Sequence, residues 1–389
     1  MIARLKRFDW VLFGAMLALL AIGTVSIWSA GNARAEAVFH RMWLSNLVTA
    51  AFGLALYFAL AAVDYRRLLA LVAVPAYAAA LVLLVAVLFV GSTIYGGSRW
   101  LWFFQPSEIA KLAVIVLLAE VFGGDGAGAP PARRGFGGFL LAAALIGAPV
   151  GLILAEPDLG TALTLVPAAA VMVFAAGVWR RGLVALAAVG GVAALLVLGA
   201  VYEAEKPGVP DERRERILRF VPLKPHQLRR VRVFLFPEED ALGAGYNLRQ
   251  AKISIGSGGL VGKGIGKGES NHLKYLPQSI SMNDFIFCVY AEETGFVGSL
   301  VLLALFGALL AAGAHVAFTA RDARGRLLAL GMTTLVFAHV YVNIAMSIGL
   351  VPITGLPLPF ISSGRTFLVT VMCGLGLVQS IARQREEKT

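Results

Sequence analysis

The chain has 389 residues, 58% of them apolar and 15% charged, with a mean hydropathy of +0.78. That balance excludes a soluble enzyme of ordinary composition and predicts an all-α polytopic membrane protein. The net charge of +11 would suggest nucleic acid in a soluble domain, but most Lys and Arg lie in short loops between apolar runs. Anionic headgroups or a lipid-borne phosphate are therefore the expected partners, and nucleic acid is not.

At the N-terminus, Arg4, Lys6 and Arg7 precede an apolar run over 10–30, followed by Ala33-Arg34-Ala35. This mimics a cleavable signal, but the run is longer than a signal core and more spans follow, so a retained first helix is expected. Apolar segments long enough to span recur at about 10–31, 43–63, 68–91, 107–123, 138–156, 159–178, 182–203, 285–318, 327–350 and 362–382, which predicts ten helices. Short loops on one side carry Arg4, Lys6, Arg7, Arg66, Arg67, Arg133, Arg134, Arg180, Arg181, Arg321, Arg324, Arg326, Arg383, Arg385 and Lys388. The other side has only Arg34, Arg41, Arg99 and Arg365. Both termini are thus expected in the cytoplasm. The long loop at 204–284 is then extracellular, within a single transmembrane domain of residues 1–389.

Before the fourth segment stand Gly97-Ser98-Arg99-Trp100 and Gln105-Pro106-Ser107-Glu108, with Lys111 one turn on. Pro106 fits a first helical position, and Glu108 suits the positive helix start. Glu108 and Lys111 share a face and can pair, either as a structural ion pair or as substrate contacts. Arg99 can hold a phosphate or snorkel to headgroups. Asp158, in Glu156-Pro157-Asp158-Leu159-Gly160-Thr161, either caps the sixth helix or faces an external cavity.

The long loop opens with arginines alternating with apolar residues from Asp211 to Phe236, broken by Pro222, Pro225 and Pro237. It suits a segment in the headgroup region or a solvated loop packed on the bundle. Seven glycines follow between Gly256 and Gly268, interleaved with Lys263 and Lys267, and this run is expected to be loop-like. Each Gly-Lys pair is followed by glycine, so the phosphate-binding motif of nucleotide hydrolases is excluded. Glycines that admit a ligand to the backbone, with Ser257 and Lys263 beside them, make a candidate pyrophosphate contact; a flexible re-entrant turn is the other reading.

Asp284 stands at the edge of the next apolar segment, with Glu292 and Glu293 inside it. A carboxylate at a membrane boundary marks a candidate functional site. Pro352, Pro357 and Pro359 break the chain after the ninth segment, where irregular backbone must be buried in protein or line a cavity. His315 and His339 read as satisfied helix residues. Cys288 and Cys373 read as small core residues, giving no disulfide framework and no metal spacing.

These pieces together carry a resemblance. GSRWL with QPSEIAKL, EPDLGTAL, RVxxFxxPEEDxLGAGYNxxQAKISIGSGGLVGKG, LPxxxxxNDFIFCVYAEETGFVG and NIAMSIGLVPITGLPLPFISSG resemble the SEDS family (RodA, FtsW and SpoVE), integral-membrane glycosyltransferases of bacterial wall synthesis. The GKG after IGSGGL and the short termini look most like the RodA branch. Ser363-Gly364-Arg365 replaces the family's usual Tyr-Gly-Gly, and Met282-Asn283 replaces His-Thr.

The resemblance implies polymerisation of lipid II into glycan strands on the outer face of the cytoplasmic (inner) membrane, for elongation and rod shape. It implies Asp284 as the essential acid, with Arg99, Glu108, Lys111 and Asp158 lining a central cavity. It also implies a class B penicillin-binding protein and other elongation-complex membrane proteins as partners. One general base suffices for a polyprenyl pyrophosphate leaving group, and Asp284 takes that role. Arg99, Lys111 and Lys263, or a divalent cation, would neutralise the pyrophosphate. The alternative is a transporter that flips the lipid-linked precursor; against it, the acids cluster toward one face beside a long loop.

Overall fold

The computed structural model describes residues 8–32, 41–94, 97–101, 104–124, 133–156, 158–206, 208–221, 223–238, 240, 243–269 and 281–385. The charged N-terminal residues, Ala33-Arg34-Ala35, Pro222 and Lys388 lie outside them. In chain order the helices are α1 (Trp10–Asn32), α2 (Met42–Ala62), α3 (Tyr65–Val90), α4 (Pro106–Gly123), α5 (Phe136–Ala155), α6 (Leu159–Ala175) and α7 (Arg180–Glu205). They continue as α8 (Asp211–Leu218), α9 (Pro225–Leu235), α10 (Ala244–Ser257), α11 (Ile286–Thr319), α12 (Ala323–Ser347) and α13 (Arg365–Gln384). Between α3 and α4 a short antiparallel hairpin, β1 (Ser92–Ile94) and β2 (Gly97–Trp100), pairs Ser92 with Trp100 and Ile94 with Gly97. The sequence predicts no strand there, because strands of three or four residues leave no periodic signal.

Each of the ten expected apolar segments is a helix. Eight are long and apolar enough to cross a bilayer. The other two are α4, which carries Glu108, Lys111 and Glu120, and the 17-residue α6. The chain is therefore a multi-pass membrane protein. In lipid a helix satisfies its own backbone, which is why Pro75, Pro149 and Pro167 are tolerated inside these apolar helices only with neighbours to absorb the break.

The centre of the bundle is α4, α12 and α13. In α13 the most apolar window is 78% buried and in α12 67%, whereas in α7 it is 6%. Apolar association between helices has no water to drive it here, so close packing does. At Gly376, a side chain would place its Cβ 2.7 Å from the Tyr57 carbonyl, so glycine is what lets α13 lie against α2. At one end of the bundle Arg66 pairs with Asp322 at 2.6 Å and Arg324 with Glu120 at 3.2 Å, tying α3 and α4 to α12.

The segment expected as an external loop is partly helical. Pro225 opens α9 at its first turn, Pro237 follows its end, and Arg214 and Arg232 converge on the buried Glu205 at 2.9 and 3.3 Å. The basic stretch is thus anchored to the end of α7 by a buried acid, and the glycine run begins inside α10 rather than in a loop. Helix α11 has 34 residues, about 51 Å at 1.5 Å per residue, far more than a ~30 Å hydrocarbon core needs. It is broken at Gly295, whose φ of 68° and ψ of −163° no L-residue adopts comfortably.

Candidate functional site

The site is built on irregular backbone. From Pro352 to Gly364 the chain has no helix or strand, yet Thr354, Leu356, Leu358, Phe360 and Ile361 are buried. Buried carbonyls need donors, and each comes from a different place. Arg230 of α9 donates to the Thr354 carbonyl at 3.1 Å, Asn343 of α12 to Leu356 at 2.7 Å, and His339 Nδ1 meets the Pro357 carbonyl at 3.3 Å. The Leu358 amide donates to Ser362 Oγ at 2.8 Å, closing a turn. The expectation of irregular backbone buried in protein holds, and these donors are why.

Asp284 lies in the turn at 282–285 that leads into α11, and is half-buried. Asn343 Nδ2, besides binding Leu356, donates to the Asp284 carbonyl at 2.9 Å. Ser362 Oγ donates to the Asn283 carbonyl at 2.6 Å, and the Ser363 amide to that of Met282 at 3.2 Å. The turn is thereby fastened to the proline segment through main-chain atoms. Beside it stands Gly355, exposed, at φ 75°; a Cβ there would lie 3.4 Å from Asp284 Oδ2. Gly355→Ala should therefore cost about 1–2 kcal/mol in left-handed strain and set a methyl in van der Waals contact with the carboxylate. A thermal melt should show the loss.

A second cluster lies behind the segment. Lys111 is fully buried and pairs with Glu108 at 2.7 Å, as their spacing predicts. Its Nζ also lies 2.9 Å from His339 Nε2 and 5.0 Å from the centre of the Phe367 ring. Asp158 caps α6 by accepting from the Thr161 amide at 3.1 Å and its hydroxyl at 2.8 Å. Its Oδ2 also accepts from Gln105 Nε2 at 3.0 Å, while the Gln105 amide donates to Thr366 Oγ1. So α4, α6 and α13 meet at Gln105, and Gly160 of α6 abuts the Thr354 carbonyl. The cap reading of Asp158 is the one seen, and the cap sits at the proline segment that also flanks Asp284.

The glycine run forms a different object. Lys263 N and Gly264 N donate to the carbonyls of Glu292 and Glu293 at 3.0 and 2.9 Å; Phe296 N and Val297 N donate back to Gly259 and Leu260. At Gly295 a Cβ would lie 2.7 Å from the Leu260 carbonyl, so the run is seated in the break of α11. The glycines serve this backbone-to-backbone contact. The buried Glu292 carboxylate accepts from Ser254 at 2.9 Å, Lys263 at 2.8 Å, the Glu269 amide at 3.0 Å and Ser257 at 3.5 Å. Ser29 of α1 donates to Glu293 and accepts from the Gly266 amide at 3.1 Å. The hydrogen bond to Glu292 holds Lys263 above the ordinary lysine range, against a smaller opposing effect of burial. Ser257 and Lys263, expected as substrate contacts, therefore sit in this carboxylate cluster.

Arg99 lies on β2, just before α4. Among the described residues no three His, Cys, Asp or Glu side chains converge to hold a metal ion. Residues 270–280, which include the LP of the LPxxxxxN motif, lie outside the described residues. Three site residues escape a reading of the sequence: His339, Asn343 and Gly355. A signal for the first two exists, since a lysine inside an apolar helix requires buried partners. His339 and Asn343 are one turn apart on α12, polar breaks in an apolar face.

Polar groups gathered at one irregular segment inside a multi-pass bundle define a membrane-embedded enzyme-like site. The profile of the cell cycle protein family FtsW/RodA/SpoVE matches residues 9–387, and the chain belongs to that family. It is 39% identical over 315 residues to the peptidoglycan glycosyltransferase MrdB of Escherichia coli (strain K12), covering 80% of this chain and 77% of that one. It is 31% identical to the peptidoglycan glycosyltransferase RodA of Treponema pallidum (strain Nichols), over 97% of this chain and 98% of that one. Among solved structures it resembles a chain from a peptidoglycan synthase complex that coordinates polymerisation and crosslinking, with a TM-score of 0.74 and 34% identity over 98% and 99% of the two chains. It also resembles the rod shape determining protein RodA of Thermus thermophilus, with a TM-score of 0.65 and 31% identity over 98% of each chain.

Proposed function

We propose that the chain polymerises lipid II on the outer face of the cytoplasmic membrane, with Asp284 as the general base. It is a peptidoglycan glycosyltransferase, as its relatives are named. The observation that supports the site is a half-buried carboxylate whose own backbone is fixed by Asn343 while its oxygens lie beside the bare Gly355. In the reaction a hydroxyl of one lipid-linked sugar attacks the anomeric carbon of another. Its proton passes to Asp284, the new glycosidic bond forms, and the bond to the polyprenyl pyrophosphate breaks. The leaving group departs as an anion, so no general acid is needed. Arg99 and the external basic residues attract that anion, and Lys111 adds positive potential from behind the wall without touching it.

In this reading both termini are cytoplasmic and residues 204–284 face outward. The likeness to a complex of polymerisation with crosslinking supports a class B penicillin-binding protein as partner, with other elongation-complex membrane proteins around it. Likeness to relatives named RodA and MrdB supports a role in elongation and rod shape. The test is a polymerisation assay on purified protein with labelled lipid II, with and without a class B partner whose own chemistry is blocked. Glycan polymer is expected. None, even with the partner and added divalent cation, would return the lipid-flipping reading to first place.

A further inference from the structure

We propose that His339 is a positioning residue for the polymerase reaction, carrying the charge of Lys111 to the backbone beside Asp284; this rests on the function proposed above. The two ends of the imidazole have different partners. The Pro357 carbonyl can only accept, so Nδ1 carries the proton and donates to it across 3.3 Å. Nε2 is then a lone pair, and the Lys111 ammonium donates to it at 2.9 Å. Both neighbours thus select one neutral tautomer, the kind of assignment a hydrogen-bond network fixes. The ring is stacked on Phe367 of α13 at 4.2 Å and an interplanar angle of 25°, so it has no freedom to turn away.

Lys111 has three protons to place. One meets Glu108 at 2.7 Å, one meets His339, and the ammonium lies over the face of Phe367, also its neighbour's stacking partner. With Lys111 and His339 both fully buried, the lysine is not a direct ligand for a substrate phosphate in this arrangement. Its reach runs through the imidazole instead. An ammonium on Nε2 polarises the ring and strengthens the Nδ1–H bond to Pro357. That bond fixes the register of the carbonyls that follow Gly355, the residue against the Asp284 carboxylate. One turn further along α12, Asn343 fastens the next carbonyl back, Leu356, to the Asp284 turn. The other charged groups near this chain of contacts are Glu108 on α4, Asp158 at the start of α6 and Arg230 of α9, which holds the Thr354 carbonyl; α13 contributes the Phe367 ring.

The proposal predicts an unusual substitution pattern. Glutamine offers Oε1 to Lys111 and Nε2 to Pro357 and is long enough to reach both, so His339→Gln should keep kcat within about threefold. His339→Asn is polar but too short to span the two partners, and His339→Leu offers neither bond. Both should lower kcat by roughly 10- to 100-fold, the scale expected when a catalytic group is misplaced by about an ångström, with KM for lipid II within about twofold. The measurement is initial polymerisation rate against lipid II concentration for wild type and the three variants, with a thermal melt on each. The Asn and Gln pair decides the matter even if the Leu variant fails to fold. Equal loss in Gln and Asn, a rise in KM at unchanged kcat, or full activity in Asn would each overturn the role. A wild type that makes no polymer would instead remove the polymerase reading itself, and this role with it.

Discussion

Asp284→Asn should abolish glycan polymerisation while leaving the protein inserted and folded. The substitution keeps the volume and the backbone bonds that hold the turn, since Asn343, Ser362 and Ser363 all bind main-chain or Asn283 atoms rather than the Asp284 carboxylate. What it removes is a proton acceptor. General-base removal costs on the order of 10²–10⁴ in rate, so the initial rate on labelled lipid II should fall by at least two orders of magnitude. A cooperative melt should remain, because the main-chain bonds of the turn are untouched. Polymer at the wild-type rate from this variant would show that another group takes the hydroxyl proton.

The second large effect is expected at Lys111. Lys111→Met leaves Glu108, 2% exposed, without its partner. Breaking a buried ion pair from one side costs about 3–5 kcal/mol, whereas replacing both members with apolar groups is often neutral. The single variant should therefore melt far below wild type, and Glu108→Leu combined with Lys111→Met should recover most of the loss. Activity should not return with stability, because His339 would have lost the donor that holds its tautomer. A double variant that is both stable and active would reduce the pair to a structural ion pair, the other role that its i, i+3 spacing allows.

Much of this is legible in the chain itself, for reasons that differ by element. Spanning helices are written as length and apolarity, and all ten segments form. Glu108 and Lys111 stand out because two opposite charges one turn apart in an apolar helix can hardly stay there except as a pair. Asp158 is legible as a cap because Thr161 follows at the right offset. The glycine run misleads in its first residues, which belong to α10. Glycines that admit a ligand and glycines that admit another stretch of backbone look alike until the break at Gly295 is seen. His339 reads as a satisfied helix histidine, which it is; what satisfies it is visible only when α4 and α12 are brought together. Gly355 carries no sequence signal beyond its type, since its importance lies in which carboxylate faces it.

The wall beside Asp284 has a consequence for inhibition. At Gly355 that wall is main chain: an exposed glycine at positive φ, flanked by carbonyls already claimed by Arg230 and Asn343. An inhibitor that grips a side chain can be escaped by exchanging that side chain. One shaped to lie against Gly355 would meet a surface that point substitution alters only by straining the backbone beside the carboxylate. Resistance at that spot would then come at the expense of the activity it was meant to preserve.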